Sequence, residues 1–441
     1  MKKSYYLASL GCAKNTVDSA SMAELLEKEG YHGTEDPAKA GVLIVNTCGF
    51  IQAAREESIE VLQELAKGKR DDQWLIAAGC LTERNREDIS KNVKGVDGFI
   101  GTRRWMDILD LIAELRKNPL SPRYHLPEAP SVGTDEKGVL RASVQGASAY
   151  LKIADGCRRP CAFCSIPLIK GTTVSRPFEV IVKEAEKLQS RAIKELILIA
   201  QDTTDYGHDL GIKDGLVVLL EKLLPSIPEI PWIRILYSYP GYVSDRLIDL
   251  MSDSPQILHY LDIPLQHADP TILKSMKRPS DIDWVYRTVE KMRKRIPDLA
   301  IRSTFIVGYP GETGKEFQTL LRFIEEMQMD HVGAFTFSFE KGTSSESLGD
   351  PVSNEEKEDR LRRLMELQES ISLKRNQSLI GKKMQILIEG TSEEISVGRS
   401  YRDAPEIDGL VIVEGVLPVG TLQLVQITGA MTHDLTGMIA K

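Results

Sequence analysis

Cys157, Cys161 and Cys164 stand in the stretch YLKIADGCRRPCAFCSIP, a C-x3-C-x2-C spacing. Three thiolates this close together can hold three corners of one metal cluster. A structural zinc site would use a fourth Cys or His at comparably short spacing, and none follows; zinc and incidental cysteines stay as alternatives. A cluster on three sulfurs keeps one iron without a protein ligand, open to chelation by a small molecule.

A second triplet is less obvious. Cys12, Cys48 and Cys80 lie far apart, yet each closes an apolar run: YLASLGC, VLIVNTC and LIAAGC. If these runs are parallel strands, their carboxyl ends share one edge, where ligands sit in open α/β sheets. One such cysteine reads as a small buried hydrophobe; three at equivalent places predict a second metal group. Asn15 and Asp18, just past Cys12, suit helix capping or the orientation of a ligand. Six cysteines in 441 residues are too sparse for a disulfide framework, which favours metal binding.

The elements that must position these sulfurs give an α/β fold class. Residues 1–120 alternate the apolar runs SYYLASL, GVLIVNT and QWLIAAG with helical stretches near 18–30, 52–67 and 83–92, which predicts an open α/β domain around a parallel sheet. Residues 121–147, rich in Pro, Gly and charge, read as a linker. Across 148–376 the runs AYLKIA, ELILIA, WIRILY, ILHYLDI, IRSTFIV and VGAFTF alternate with amphipathic segments, predicting a partial (βα)6 TIM-like barrel that the charged helix 353–376 closes. The runs MQILIEG, GLVIVEG and TLQLVQITGA predict a small antiparallel β-domain over 377–441. Barrel sites lie at strand carboxyl ends, and those ends read Gln201-Asp202, Tyr237-Ser238, Gln266-His267, Gly308 to Glu312 and Ser338 to Glu340.

The C-x3-C-x2-C motif with Phe163 before its last cysteine resembles the radical S-adenosylmethionine (radical SAM) superfamily. The pieces SLGCAKNTVDSA, VNTCGF and AAGCLTER resemble the amino-terminal domain of its methylthiotransferase family. This resemblance implies that Cys157, Cys161 and Cys164 hold a 4Fe-4S cluster whose open iron takes the amino and carboxylate groups of S-adenosylmethionine. In the family the reduced cluster cleaves that molecule to methionine and a radical that takes hydrogen from an unactivated carbon. The resemblance further implies an auxiliary 4Fe-4S cluster on Cys12, Cys48 and Cys80 that serves sulfur delivery, and a C-terminal TRAM domain. Phe163, Gln201, Asp202 and Gly308 are the implied contacts of S-adenosylmethionine, with a turn or capping role as the competing reading for the last three. An electron donor and a sulfur donor are the implied partners.

Charge bears on the substrate. The chain carries a formal −8, and residues 378–441 hold five Lys and Arg against eight Asp and Glu. A domain that grips RNA should be basic, because phosphate contacts dominate its affinity. An acidic one suits a basic protein, and Glu393, Glu394 and Asp408 are its candidate contacts. The stretches QDTTDYGHDL, IPLQHADPTILKSMKR and GRSYRDAPEIDG resemble the branch of the family that modifies an aspartate of a small-subunit ribosomal protein. A transfer-RNA adenosine methylthiotransferase and a non-enzymatic iron-sulfur sensor are the competing readings. No apolar run approaches the ~18 residues of a membrane span, so a cytoplasmic enzyme is expected.

Overall fold

The computed structural model describes residues 3–117, 122–126 and 137–440. Its N-terminal unit is a six-stranded parallel sheet in the order His32–Gly33, Ser4–Ser9, Val42–Thr47, Trp74–Gly79, Gly98–Gly101 and Arg123–His125. Strand Val42–Thr47 is buried along its whole length, as expected of a parallel strand covered on both faces. Helices Ala13–Lys28, Gln52–Gly68, Cys80–Asn92 and Ile108–Lys117 supply that cover. The last strand and Ala142–Gln145 fall within the expected linker, so that stretch contributes a strand to each flanking sheet.

The second unit carries the six anticipated parallel strands: Ser148–Lys152, Glu195–Ile199, Trp232–Ile235, Tyr260–Asp262, Ala300–Val307 and His331–Thr336. They form two sheets that meet where Ile233 bridges Ile257, so the barrel is partial. Ala142–Gln145 pairs antiparallel on one outer edge, and helix Asn354–Gln377 packs against the strand at the other. Period-2 alternation divides the core: Leu196 and Leu198 pack outward under the helices, whereas Ile197 and Ile199 point inward.

The C-terminal unit is a closed five-stranded barrel in the order Lys383–Thr391, Ile395–Ser400, Val411–Glu414, Leu435–Ile439 and Leu422–Ala430. It departs from the all-antiparallel expectation in one place, since Val411–Glu414 and Leu435–Ile439 run parallel where the barrel closes. Leu387 and Ala404 of this unit join the inward-facing Tyr150, Ile197 and Tyr260 in one apolar cluster, to which Val17 of the first helix also belongs. All three units therefore share a core inside the partial barrel.

Candidate functional site

Strand register brings the first cysteine triplet together. Ser9 pairs with Asn46 and Thr47 with Gly79, so Cys12, Cys48 and Cys80 leave three adjacent parallel strands at one edge. Gly11 makes the approach possible: its φ is +90°, and a Cβ there would lie 2.8 Å from Cys48 Cβ. Asn15 is a brace and not a cap, its Nδ2 donating to the carbonyls of Leu10 at 2.9 Å and Thr47 at 3.1 Å while Cys80 Sγ lies 3.5 Å from its Oδ1.

The second triplet follows Ala154–Asp155, in a loop whose backbone folds onto its own sulfurs; the Arg159 amide lies 3.5 Å from Cys157 Sγ. Arg278 Nη1 approaches Cys161 Sγ at 3.5 Å and its other amino group donates to the Pro264 carbonyl. All six cysteines line one cavity of about 430 Å³ at the carboxyl ends of the barrel strands. Among the described residues, no three Cys, His, Asp or Glu side chains converge as the ligands of a single metal ion would. Three sulfurs on each wall are the kind of donor set that iron-sulfur clusters take.

Electrostatics divides the thiols. Burial pushes Cys48 above the usual range, Cys157 up to about 11, and Cys80 and Cys164 up to about 12. Such sulfurs stay protonated unless a cationic metal group compensates their charge. Cys12 differs. Burial raises it too, but the Lys14 ammonium and the Asn15 and Lys14 amides outweigh that and hold it below the ordinary thiol range. It lies deep in the molecule and is accessible because it fronts the cavity.

Asp18 lies beneath this wall as the hub of a buried charge network. Its carboxylate accepts from Arg141 at 2.5 Å, Lys152 at 2.6 Å and Lys170 at 3.1 Å, which together overcome the upward push of burial and hold it far below the carboxylate range. Lys170 and Lys152 also pair with Asp155, two residues before Cys157. The network therefore ties the first helix, whose N-cap is Cys12, to the loop of the second triplet. Neither Asp18 nor Asn15 caps a helix, and the competing capping expectation fails for both.

The other sequence candidates divide. Phe163 lines the cavity and an adjoining apolar annex of about 190 Å³. Gln201 fronts the cavity with Oε1 buried and, among the described residues, without a partner, as is the hydroxyl of Ser238 beside it. Asp202 also fronts it, but its carboxylate is engaged by Arg159 and the Thr204 hydroxyl, each at 2.6 Å. Gly308 stands outside the cavity wall. Its φ is +72° and a Cβ would meet Lys357 Cγ at 2.4 Å, so packing under helix Asn354–Gln377 demands this glycine.

Asp408 does not face solvent either. Its side chain is 2% exposed, accepts from Tyr260 Oη at 2.7 Å and Arg302 Nε at 3.2 Å, and holds the C-terminal unit against the barrel. The acidity count treated it as surface because a count carries no burial information. Glu393 and Glu394 are exposed at a hairpin tip.

Sequence reasoning passed over Lys14, Lys170 and Arg278, and gave no role to Tyr237 and Gln266 although it placed them at strand carboxyl ends; all five front the cavity. Tyr237 and Gln266 hold φ of +63° and +74° at strand ends, a strained conformation common at functional sites. Lys14 and Lys170 lie two and six residues from cysteines, a proximity that gave the only available signal.

Three family models match the chain: "Uncharacterized protein family UPF0004" over residues 4–101, "Radical SAM superfamily" over 151–324 and "TRAM domain" over 380–439. The ribosomal protein uS12 methylthiotransferase RimO of Chloroflexus aurantiacus is 46% identical, with 98% of this chain and 99% of that protein aligned. The enzyme of the same name from Thermoanaerobacter is 41% identical, with 99% of each chain aligned. Among solved structures, the radical S-adenosylmethionine methyltransferase TsrM of Kitasatospora setae, with cobalamin and a [4Fe-4S] cluster bound, shares the fold at a TM-score of 0.54 and 14% identity, over 76% of this chain and 72% of that one. Full-length identity on this scale, with all three matched units in order, makes the chain a member of the RimO family of radical SAM methylthiotransferases.

Proposed function

We propose that this enzyme adds a methylthio group to the β-carbon of an aspartate in ribosomal protein uS12, in the cytoplasm, using one chamber for both halves of the reaction. The observation that carries this reading is the single cavity lined by both cysteine triplets. In this reading Cys157, Cys161 and Cys164 hold the 4Fe-4S cluster that chelates S-adenosylmethionine, and Cys12, Cys48 and Cys80 hold the auxiliary cluster. The cofactors supply one-electron chemistry that removes hydrogen from an unactivated carbon, together with the sulfur and methyl to be transferred. Residues 1–120 form the auxiliary-cluster domain, 121–147 connect, 148–376 form the radical domain and 377–441 the TRAM domain.

The chain's own residues bind, orient and exclude water. Cavity-facing Gln201 Oε1 and the Ser238 hydroxyl, unpartnered among the described residues, can accept from an ammonium group, which suits the amino end of S-adenosylmethionine. Arg159 is held by Asp202 and stacks on Tyr239 and Tyr242, fixing a cation beside the second triplet. Phe163, Phe50 and Phe335 line both the cavity and its annex and keep the chamber apolar where hydrogen abstraction must outcompete water. Exposed Glu393 and Glu394 offer negative charge to a basic protein partner.

The test pairs uS12 and transfer RNA with reconstituted enzyme in separate anaerobic reactions, followed by mass spectrometry. A methylthiolated aspartate in uS12 is expected. A methylthiolated adenosine with unmodified uS12 would overturn the assignment.

A further inference from the structure

Four cationic side chains line the cavity, and three have an anionic or carbonyl partner. Arg159 is bound to Asp202 and Asp205, at 2.6 Å and 3.2 Å. Lys170 is bound to Asp18 and Asp155, at 3.1 Å and 3.3 Å. Arg278 reaches Cys161 Sγ and the Pro264 carbonyl. Lys14 is the exception: among the described residues its ammonium touches no carboxylate, hydroxyl or carbonyl, although the residue is only 9% exposed. It rests over the Tyr237 ring, 3.0 Å from the centroid. An aromatic face takes only part of an ammonium's donor capacity, and the remaining N–H donors stay available to a ligand. Cys12, Asp262 and Asp155 attract it through space, but among the described residues none of them holds its ammonium in a hydrogen bond, so its donors are open to an anion that arrives with a ligand.

Two ligands bring a carboxylate into this chamber in the reading above, on which this inference rests. S-adenosylmethionine belongs beside the second triplet, where Arg159 and Arg278 already provide cations. Lys14 stands two residues after Cys12, on the sulfur-delivering wall, and reaches across to Tyr237 at the end of a barrel strand. A carbon that receives sulfur from one triplet after losing hydrogen to the other must lie between them. We propose that Lys14 binds the carboxylate of the residue to be modified, holding its β-carbon between the two triplets and selecting an acidic side chain over its amide.

The test measures Kd for uS12 and for a uS12 form whose target aspartate is asparagine. Holoenzyme with S-adenosylmethionine but no reductant is used, so that binding is read without turnover. Wild type is expected to prefer the aspartate form by about 10-fold or more. Lys14→Met should erase that preference, and Lys14→Arg, which retains the charge, should keep most of it; a merely structural lysine would not produce this split. A preference that survives in Lys14→Met, or a defect confined to the Kd of S-adenosylmethionine, would overturn the inference. If wild type binds neither form, the ribosomal-protein reading itself fails and the inference falls with it.

Discussion

Arg84 of the N-terminal unit donates to the Glu340 carboxylate of the barrel at 2.7 Å, and Arg55 donates to the same oxygen at 2.5 Å. The two arginines belong to the helices that follow Cys48 and Cys80, so one carboxylate latches both cysteine-bearing segments onto the barrel. Glu340→Gln leaves two largely buried guanidiniums facing a neutral amide, at a cost on the order of 3 kcal/mol. Amides of residues 49–58 and 80–86 should then exchange hydrogen faster. Unchanged exchange would show that the latch does not hold the units together.

Metal content separates the triplets. Reconstituted wild type should carry about eight irons per chain as two 4Fe-4S clusters, and Cys157→Ala and Cys48→Ala should each lose about four. Iron assay and Mössbauer spectra read this directly. Equal loss of both clusters in either variant, with the fold intact by circular dichroism, would argue against independent sites.

Acid should loosen the C-terminal unit. Glu195 accepts from Arg234 at 2.7 Å and from Arg399 of that unit at 2.6 Å. Burial raises this carboxyl, but the two guanidiniums outweigh it and hold it at about 2, below its ordinary 4.5. A depressed carboxyl contributes stability that is present above the unfolded value and is lost as pH falls from about 4.5 toward 2. Tm should therefore decline through that window. Glu195→Ala should lower Tm already at pH 7, by about 3–5 °C, because it strands two buried cations.

Charge on the exposed hairpin should govern encounter. Reversing Glu393 and Glu394 to Lys should raise KM for uS12 about 2- to 5-fold with little change in kcat, and should flatten the dependence of KM on ionic strength. An unaltered KM would move the docking surface elsewhere.

Much of this architecture was legible in the residues. Apolar runs ending in cysteine located three neighbouring strands and their common edge, because a parallel strand buried on both faces needs a continuous apolar sequence. Short spacing located the second triplet. The cations of the chamber wall were not legible, since Lys14, Lys170 and Arg278 come from three separate elements and only the docking of two units gathers them. Asp408 misled for a related reason: it answers to a packing partner 106 residues away, Arg302.

The stretch GRSYRDAPEIDG, which resembles a marker of substrate class, turns inward. Arg399 binds Glu195, the Tyr401 hydroxyl donates to the Asp298 carbonyl at 2.8 Å, Arg402 binds Asp330 at 2.8 Å, and Ala404 seals the apolar interior. The C-terminal barrel is thus no portable module. A chimera that grafts this barrel from another methylthiotransferase must transplant the matching sockets with it, or the radical domain is left with an unplugged base and orphaned carboxylates. The outer hairpin, by contrast, is exposed, and a side chain there changes without disturbing the stopper.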